Sequence, residues 1–397
     1  MRIGFDVSQT GQFKTGCGYF ADSLARHLVA LDTGNNYILY PTFGHGYWDP
    51  NWPRDTLDLA HLPNVQRGPG QRSLDQLEAF WIDPPADLEV QLGSPDVIHS
   101  NNFFCPTNLK RARLVYSLHD LAFTSHPEWT TEANWLTCLD GVLGASVYAD
   151  HVVAVSNYTR AEFLEAFPHY RPDRVSVVYE ASRFSRPSDG PAPRRLGYLR
   201  PGQFWLAVGT REPRKNCRRI LEAYARLKAA SDTDYPLVLF GAGGQTPGDL
   251  DQWIESLWLS PDVHRLGYVD DETLAWLYTN CAAFCYPSLF EGFGLPAVEA
   301  MSLGAAVLTS NVTSLPEVVG DAGILVDPFD VDAIAAGMRL LAQDSALVSE
   351  LRARARVRSA EFSWRRAAAQ VLDVYRTVLD EYPRTIERKA VLGAIET

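Results

Sequence analysis

The sequence predicts an α/β protein of two doubly wound domains, each a parallel sheet covered by helices on both faces, that face a central cleft. The 397 residues are enough for two domains that each bury a hydrophobic core. Short runs rich in β-branched and aromatic residues alternate with helical stretches along the chain, which is typical of parallel sheets. A segment with three prolines, one glycine and no hydrophobic periodicity, Ser185 to Pro193, separates this pattern into two halves.

The linker divides the chain into segments. We expect an N-terminal domain over 1–184, the linker over 185–193, a C-terminal domain over 194–362 and a final segment over 363–397. The strands predicted in the first half are 2–7, 37–41, 96–99, 113–118, 151–155 and 175–180. Those predicted in the second half are 204–209, 237–241, 264–269, 282–286, 306–309 and 323–327. Ligands of doubly wound sheets bind beyond the carboxyl ends of the strands, so we expect the chemistry in the loops that follow them.

Composition and charge exclude several classes of protein. The net charge of −12 disfavours nucleic-acid binding and attachment to anionic lipid mainly by charge. No run approaches about eighteen consecutive apolar residues, so no transmembrane segment is predicted. Met1 to Gln9 is interpreted as a first strand rather than a signal peptide. The six scattered cysteines are interpreted as buried thiols of a reducing compartment, which favours the cytoplasm.

One stretch, Phe284 to Gly304, combines the features of a phosphate site. An apolar strand ends at Tyr286, a loop containing Gly294 follows, and a helix is predicted to begin at Pro296, a favoured first helical residue. Glycine lets the backbone approach a ligand closely. The N–H groups of the first helical turn, which have no partner within the helix, favour an anion such as phosphate.

Two carboxylates lie on either side of this anion site, Glu291 before it and Glu299 one turn into the helix. Both would repel a phosphate unless they reach past it. Their natural partners are therefore the neutral hydroxyls of sugars, one on each side of a diphosphate. The alternative is an ordinary strand–helix unit in which both glutamates are only solvated.

Two cations follow the strand that ends at Gly209, in the sequence Pro213-Arg214-Lys215-Asn216. A diphosphate leaving group requires positive charge as its own negative charge builds up. Cations at the start of a helix are also slightly unfavourable to the helix dipole. We therefore expect Arg214 and Lys215 to bind an anion.

A glycine-bearing loop follows the first strand and leads into a helix predicted over Tyr19 to Leu31. Gly16 to Ala21 also fits the dinucleotide fingerprint of nicotinamide-dependent dehydrogenases. Two observations count against that alternative. The first strand ends too far upstream for the tight turn, and the second strand ends in Tyr40-Pro41, where an acidic residue would bind the ribose.

His119 lies at the carboxyl end of the predicted strand 113–118 and is a candidate catalytic or sugar-binding group, although a histidine there also fits a structural role. Asp120 either orients it or caps the next turn. Asn101 and Asn102 end the preceding strand and are candidates to meet an acceptor.

The region 42–95 carries three tryptophans, Trp48, Trp52 and Trp81, among prolines and glycines. Indole rings commonly stack on sugars, but they also form packed clusters beneath loops. We favour the packed cluster.

The pattern of Glu291, seven residues and Glu299, with Gly-Phe-Gly-Leu-Pro between them, resembles the donor-site motif of retaining glycosyltransferases of family 4. These enzymes have the GT-B fold of two Rossmann-like domains. The resemblance implies that Glu291 contacts the donor sugar and Glu299 the nucleotide ribose. It also implies that the backbone of Phe293, Gly294 and Leu295 contacts the hexose and the diphosphate.

The same resemblance extends to other parts of the chain. It implies that His119 contacts the donor sugar, that Gly16 lies in the loop touching the donor phosphate, and that the final segment 363–397 contains a helix crossing back to the first domain. It also implies that an arginine and Lys215 bind the diphosphate. The arginine common after the glycine is absent, so we assign Arg214 to this role, with Arg211 as the alternative.

The activity implied is transfer of a hexose from a UDP- or GDP-hexose to an acceptor hydroxyl with retention, in polysaccharide or glycoconjugate synthesis. The expected partners are the nucleotide-sugar donor and a saccharide or lipid-linked saccharide acceptor, with no nucleic acid. Peripheral contact with a membrane is compatible with this activity. The alternatives are a nucleotide-sugar epimerase of the same fold and a non-catalytic nucleotide-sugar-binding protein.

No cofactor and no catalytic metal ion are expected. Asp232-Thr-Asp234 and Asp330-Val-Asp332 match the Asp-x-Asp pattern of metal-dependent transferases of the other main fold. The first pair lies in a polar turn and the second at a predicted helix start. We interpret both as turn and capping acids, and expect Arg214, Lys215 and the helix amides to do the electrostatic work of a metal ion.

Overall fold

A computed structural model of the chain describes residues 1–12, 14–45, 55–68, 73–188, 190–209, 212–241 and 250–380. The chain divides into two compact units. The described parts of Met1–Ser125, Glu132–Glu180 and Ser363–Thr397 form the first unit, and those of His126–Thr131 and Ala181–Phe362 form the second. The domain boundaries expected at residues 184, 193 and 362 remain predictions.

The first unit contains a seven-stranded sheet, and every strand pair in it is parallel. Its strands are β1 (Arg2–Asp6), β2 (Asn36–Tyr40), β3 (Val65–Arg67), β4 (Val97–Ser100), β5 (Arg113–Leu118), β6 (His151–Ala154) and β7 (Val175–Val177). The strand order is β3-β2-β1-β4-β5-β6-β7. This is a doubly wound order, and its direction reverses between β1 and β4.

The second unit repeats this plan with six parallel strands. They are β8 (Trp205–Val208), β9 (Leu237–Phe240), β10 (Val263–Gly267), β11 (Ala283–Tyr286), β12 (Val307–Ser310) and β13 (Ile324–Val326). The order β10-β9-β8-β11-β12-β13 reverses between β8 and β11. The predicted fold class of two doubly wound parallel sheets is therefore confirmed.

Helices connect the strands in both units. In chain order they are α1 (Gly16–Leu31), α2 (Leu74–Ile82), α3 (Leu88–Gln91), α4 (Ala122–Ser125), α5 (Glu132–Tyr148), α6 (Asn157–Ala166), α7 (Cys217–Ala229), α8 (Leu250–Ser256), α9 (Asp271–Asn280), α10 (Leu295–Ser302), α11 (Leu315–Val319), α12 (Val331–Gln343), α13 (Ser345–Ser359) and α14 (Trp364–Asp380). None of the described helices combines the length and apolar character that crossing a membrane requires.

All twelve predicted strands form, and their ends lie within three residues of the predicted ones. The interior strands are easy to recognise because burial on both faces makes them continuous apolar runs; all six residues of β5, for example, are buried. The strand that the sequence does not reveal is β3, which has three residues. It lies at the edge of its sheet and contains the polar pair Gln66 and Arg67, so it carries no such run.

The last described helix, α14, belongs to the first unit. Its buried residues recur at helical spacing, from Trp364 through Ala368 and Val371 to Tyr375 and Val378, so one face of the helix is apolar. That face packs against α1, β5 and β6. The expectation that the C-terminal helix joins the first domain is confirmed.

A packed aromatic cluster lies under the loops of the first unit. Trp81 is 2% exposed, and its ring contacts Phe43, Phe80 and Phe104 at centroid distances of 4.7, 5.2 and 5.2 Å. The preference for packing over sugar stacking is therefore confirmed for Trp81. Trp48 and Trp52 lie outside the described residues.

Candidate active site

In the second unit, the chain topology brings the predicted cations and the first glutamate together. β8 and β11 are adjacent parallel strands on either side of the point where the strand order reverses, so the loops that follow them leave the same edge of the sheet. A 3₁₀ turn over Pro213–Lys215 follows β8. The loop after β11 carries Glu291 and leads into α10.

Glu291 accepts hydrogen bonds from four side chains. Its Oε1 accepts from Lys215 Nζ at 2.8 Å, from Tyr286 Oη at 2.6 Å and from Ser288 Oγ at 2.5 Å. Its Oε2 accepts from Arg214 Nη1 at 2.9 Å. The glutamate is only 5% exposed. The structure therefore joins in one cluster the two predicted diphosphate cations, Arg214 and Lys215, and the predicted sugar-binding residue Glu291.

The charge state of Glu291 follows from these contacts. Burial alone would raise the pKa of its carboxyl group, but the positive charges of Lys215 and Arg214, with the hydrogen bonds, lower that pKa to about 2. Glu291 is therefore ionised at any physiological pH. Arg214 Nη2 also pairs with Glu212 Oε2 at 2.8 Å, so the cluster holds two cations and two carboxylates, and both cations lie at the strand ends where a diphosphate would bind.

Asn216 fixes the loop that carries the two cations. Its backbone has φ of 61°, a left-handed conformation that asparagine tolerates better than most residues. Its side-chain amide donates to the carbonyl oxygens of Pro287 at 2.8 Å and Pro328 at 2.7 Å. The backbone of Arg214 also accepts from the N–H of Leu289 at 2.7 Å. The loops after β8 and β11 are thus bonded to each other directly.

The start of α10 lies beside this cluster. Gly294 precedes the helix with φ of 94°, and a Cβ there would approach Leu315 Cδ2 to 2.6 Å. Phe293 and Leu295 on either side are buried. The helix begins at Leu295, one residue before the predicted start, and Pro296 occupies its first turn.

Glu299 lies one turn into α10 and is 2% exposed. It forms a close ion pair with Arg183. The guanidinium group of Arg183 also lies 3.3 Å from a carboxylate oxygen of Asp271 and stacks on the ring of Phe184. Arg183 was not assigned a role from the sequence because it lies among the polar residues before the linker, where no pattern marks it.

In the first unit, His119 follows β5, as predicted, and is 7% exposed. Its Nε2–H donates to the carbonyl oxygen of Asn101 at 2.9 Å. Its Nδ1 lies 3.8 Å from Glu180 Oε1. Burial would lower the pKa of His119, but Cys17 and the Glu180 carboxylate beside the ring raise it well above its usual value. His119 can therefore hold a positive charge near neutral pH.

The neighbours of His119 differ in part from the expectation. Asp120 Oδ1 accepts from the N–H of Ala122 at 3.1 Å, so it caps the following turn, one of the two predicted alternatives. Glu180, not Asp120, is the carboxylate beside the imidazole. Asn101 and Asn102 are each 2% exposed and bond to neighbouring residues of the first unit. Their expected contact with an acceptor stays a prediction.

Gly16 and Gly18 open α1, and they differ in the space around them. A Cβ on Gly16 would meet no atom within 4 Å. A Cβ on Gly18 would lie 2.1 Å from the carbonyl oxygen of Gln9 and 2.7 Å from Lys14 Cβ. Gly18 is therefore required by packing, whereas Gly16 leaves an open surface that a ligand can approach.

This difference gives a matched pair of variants. We expect Gly18→Ala to lower the free energy of unfolding by about 1 to 3 kcal/mol, because the added methyl group overlaps backbone. We expect Gly16→Ala to keep wild-type stability within about 1 kcal/mol and to weaken nucleotide-sugar binding about tenfold, because the methyl group occupies the approach path. Denaturant melts and titration calorimetry measure the two effects. Unchanged donor affinity in Gly16→Ala would remove Gly16 from the site.

Cys17 is an exception to the expected burial of the thiols. All six cysteines are free, and five of them are buried, but Cys17 is partly exposed at the start of α1. Burial raises the pKa of Cys217 and Cys281 to about 12, so these thiols are unreactive at neutral pH. We expect iodoacetamide to alkylate Cys17 at least tenfold faster than the other five. Peptide mass spectrometry over a time course measures the order, and earlier labelling of any other cysteine would contradict the expectation.

The two Asp-x-Asp matches have structural roles. Asp330 caps α12, since its side chain accepts from the N–H groups of Asp332 at 2.8 Å and Ala333 at 3.1 Å. Asp232 accepts from Arg339 Nε at 2.6 Å. The interpretation as a capping acid is confirmed for Asp330, whereas Asp232 forms an ion pair with Arg339. The alternative phosphate arginine, Arg211, lies outside the described residues.

Some residues of the cluster can be recognised in the sequence only once the strand order is known. Tyr286 is the last residue of β11 and Ser288 precedes Glu291 by three positions, so both lie at the strand end where polar side chains meet ligands. Asn216 completes the Pro-Arg-Lys-Asn sequence. Glu180 gives no such signal, because it meets His119 through the arrangement of β5 and the segment after β7.

Two family models match the chain. Residues 15–181 match the model described as Glycosyltransferase Family 4, and residues 200–359 match the model described as Glycosyl transferases group 1. The chain is 38% identical to the O-antigen chain mannosyltransferase B of Escherichia coli over 286 residues, which covers 70% of this chain and 74% of that protein. It is 40% identical over 320 residues to an Escherichia coli serotype-specific mannosyltransferase WbdA, covering 74% of this chain and 38% of that protein.

A solved structure confirms the fold. The sucrose-phosphate synthase of Thermosynechococcus elongatus superposes with a TM-score of 0.75 at 20% identity, covering 96% of this chain and 100% of that one. The two sheets, the family models and the relatives agree with the resemblance carried by Glu291 and Glu299. The chain belongs to glycosyltransferase family 4: it is a retaining hexosyltransferase with the GT-B fold that uses a nucleotide-sugar donor.

Proposed function

We propose that the protein transfers a mannosyl residue from a nucleoside diphosphate mannose to a hydroxyl of a saccharide acceptor, in the synthesis of a polysaccharide or glycoconjugate. The observation that carries this proposal is the cluster of Arg214, Lys215 and Glu291 beside the start of α10, which supplies the cations and hydrogen-bonding groups that a sugar diphosphate needs. Both relatives are named mannosyltransferases, one of them for the O-antigen chain, and these names support the choice of sugar.

Lys215 is the cation best suited to the leaving diphosphate. An ammonium group has three N–H donors, and among the described residues Glu291 Oε1 and Tyr286 Oη each accept one at 2.8 Å. We assign the third donor to the phosphate oxygen on which charge builds up. Arg214 and the first-turn amides of α10, near Phe293, Gly294 and Leu295, share this task.

We assign the sugar contacts to Glu291 and His119 and the ribose contact to Glu299. Gly16 is assigned to the loop of the first unit that touches the donor phosphate. Glu291 is an unsuitable nucleophile for double displacement, because four donors occupy its carboxylate and its pKa of about 2 makes it a weak base. We therefore propose same-face substitution. The bond from the anomeric carbon to the phosphate oxygen breaks, the acceptor oxygen bonds to that carbon on the same face, and the leaving phosphate takes the acceptor proton.

The reaction is proposed to need no divalent metal ion, because two cations and a helix start already supply positive charge at the diphosphate. We expect the transfer rate after dialysis against excess EDTA to stay within twofold of the untreated rate. A loss of more than tenfold that added magnesium or manganese restores would contradict this prediction.

We propose a cytoplasmic location, where nucleotide sugars and free thiols both persist, and no nucleic-acid partner. The acceptor is proposed to be a saccharide, free or lipid-linked, and a lipid-linked one would bring the protein into peripheral contact with a membrane. Sedimentation with vesicles carrying a lipid-linked mannoside, compared with plain vesicles, tests this point.

The donor is tested by a thermal-shift screen of GDP-mannose, UDP-glucose and ADP-glucose, because a ligand that binds the native state raises its melting temperature. We expect GDP-mannose to give the largest shift. Incubation with and without a mannoside acceptor then separates the activities. A transferase forms a product with the donor's anomeric configuration only when acceptor is present. Conversion of the donor without acceptor would favour an epimerase, and binding without turnover across acceptors a sensor.

A further inference from the structure

We propose that Tyr375 of α14, His99 of β4 and Ser117 of β5 are positioning residues for His119. They form a buried chain of hydrogen bonds that ends on the residue whose backbone holds the His119 imidazole. The proposal rests on the donor-sugar role given to His119 above.

The chain has four members, and each is at most 2% exposed. Tyr375 Oη lies 2.6 Å from His99 Nδ1. His99 Nε2 lies 2.8 Å from Ser117 Oγ, and Ser117 Oγ lies 3.0 Å from Asn101 Oδ1. The backbone carbonyl of Asn101 accepts from His119 Nε2 at 2.9 Å. An unbroken path therefore runs from the C-terminal helix to the histidine.

The direction of every hydrogen bond in this path is determined. Ser117 has one hydroxyl proton and donates it to Asn101, so its oxygen must accept from His99 Nε2–H. Burial, with the charge of nearby His119, lowers the pKa of His99 to about 3, so the ring is neutral and carries one N–H. His99 Nδ1 must then accept from the hydroxyl of Tyr375. Only one tautomer of His99 and one orientation of the Ser117 and Tyr375 hydroxyl groups satisfy all of these hydrogen bonds.

Asn101 is also held by hydrogen bonds to Asp6. Its side-chain N–H donates to the backbone carbonyl of Asp6 at 2.9 Å, and its backbone N–H donates to Asp6 Oδ2 at 3.3 Å. Its side chain and both its backbone polar groups are thus engaged, and the carbonyl is aimed at His119. Because this carbonyl binds Nε2–H, the Nδ1 side of the His119 ring faces Glu180.

A simpler account is that these hydroxyls only satisfy buried polar groups, which must find partners in any protein. The two accounts differ in what they predict about His119. Loss of one satisfied bond lowers stability, whatever the state of His119. Loss of a positioning bond lowers turnover only while His119 is present to be misplaced.

The experiment compares Tyr375→Phe, which removes one hydroxyl, with the matched control Tyr40→Phe. Tyr40 is also fully buried in the first unit, and its hydroxyl donates to the carbonyl of Leu92 at 2.9 Å, away from the path. Both are measured in the wild type and in His119→Ala. Ser117→Ala serves as a second break in the path. The readouts are kcat with the nucleotide sugar selected by the donor screen, the Kd of its nucleoside diphosphate, and the melting temperature.

We expect Tyr375→Phe and Ser117→Ala to lower kcat about tenfold, as loss of an orienting partner does in other sites, and to leave the Kd of the diphosphate unchanged, because it lacks the hexose. Tyr40→Phe should leave kcat within twofold of wild type. In His119→Ala, Tyr375→Phe should cause no further loss of kcat.

Three results would overturn the inference. One is a Tyr375→Phe variant with the kcat of Tyr40→Phe. Another is a loss of kcat of the same size in the wild type and in His119→Ala. The third is a His119→Ala enzyme with wild-type kcat, which would first overturn the role of His119 itself. The first two leave the proposed function intact, so the failures are distinguishable.

Discussion

Lys215→Ala is expected to lower kcat by about a thousandfold, the largest loss that we predict for a single substitution. Removal of one group that stabilises developing charge costs about 10² to 10³ in rate in comparable sites. We place Lys215 at the upper end of this range because it is only 8% exposed, so water has little access to compensate for the lost charge. A thousandfold loss corresponds to about 4 kcal/mol of transition-state stabilisation.

The same substitution also affects folding. Removing one partner of a buried ion pair costs about 3 to 5 kcal/mol, because the other charge is left uncompensated. In the wild-type structure Arg214 also binds Glu291 Oε2 at 2.9 Å, so Glu291 keeps one cationic partner in the variant. We therefore expect the free energy of unfolding to fall by an amount at the lower end of this range, about 3 kcal/mol. The enzyme must therefore be assayed well below its melting temperature.

Lys228→Ala is the matched control for Lys215→Ala. Lys228 lies in the second unit and pairs with Asp262 at 2.9 Å, but at a partly exposed position on α7. Its replacement should change kcat by less than twofold. Steady-state kinetics and urea melts on both variants separate the catalytic loss from the loss of stability. A Lys215→Ala enzyme that folds and transfers sugar at the wild-type rate would contradict the assignment.

Glu291→Gln is expected to lower kcat by about a hundredfold and to change the acid stability of the protein. Glutamine keeps the shape of the side chain but removes the charge that orients Lys215 and Arg214, and it weakens any contact with the sugar hydroxyls. Hydrogen bonds to a charged partner are stronger than those between neutral groups. The variant should therefore orient Lys215 and Arg214 less firmly in the transition state, which lowers kcat.

The pH dependence has a definite sign. The pKa of Glu291 falls from 4.5 to about 2 on folding, so its ionised form stabilises the native state above pH 4.5 by on the order of 3 kcal/mol. This contribution is lost as the pH falls from about 4.5 towards about 2. In Glu291→Gln that part of the pH dependence should be absent, while the stability at neutral pH is lower.

Urea melts between pH 2 and pH 7 measure this effect. Glu222→Gln is the control, because Glu222 forms an exposed ion pair with Arg218 on α7 and such pairs contribute little. The control should show the wild-type pH profile. A Glu291→Gln variant whose free energy of unfolding falls between pH 4.5 and pH 2 as steeply as that of the wild type would contradict the prediction.

The sequence predicts the strands well because each is a short apolar run between helices, and that pattern depends only on local burial. It also predicts that Lys215 and Glu291 follow strands. It does not predict that both bind each other, because that requires the knowledge that β8 and β11 are neighbours. Contacts made through the order of strands are invisible in a linear pattern.

The remaining differences have similar causes. Glu180 ends the predicted strand 175–180 and Arg183 lies just before the linker, and neither belongs to a recognisable motif, yet they meet His119 and Glu299 respectively. The thiol of Cys17 is partly exposed at the start of α1, whereas composition alone indicates burial. Long-range partners of this kind are set by topology, which composition and periodicity do not encode.

The placement of α14 has a consequence for synthesis on the ribosome. This helix covers α1 and supplies Tyr375 to the interior of the first unit, yet the whole second unit is translated between them. The apolar face of α1 therefore stays uncovered in the nascent chain until α14 has been translated. Apolar surface that is exposed during synthesis is where aggregation starts and where chaperones bind. Nascent chains stalled before residue 364 should accordingly retain chaperones that chains released after residue 380 have lost.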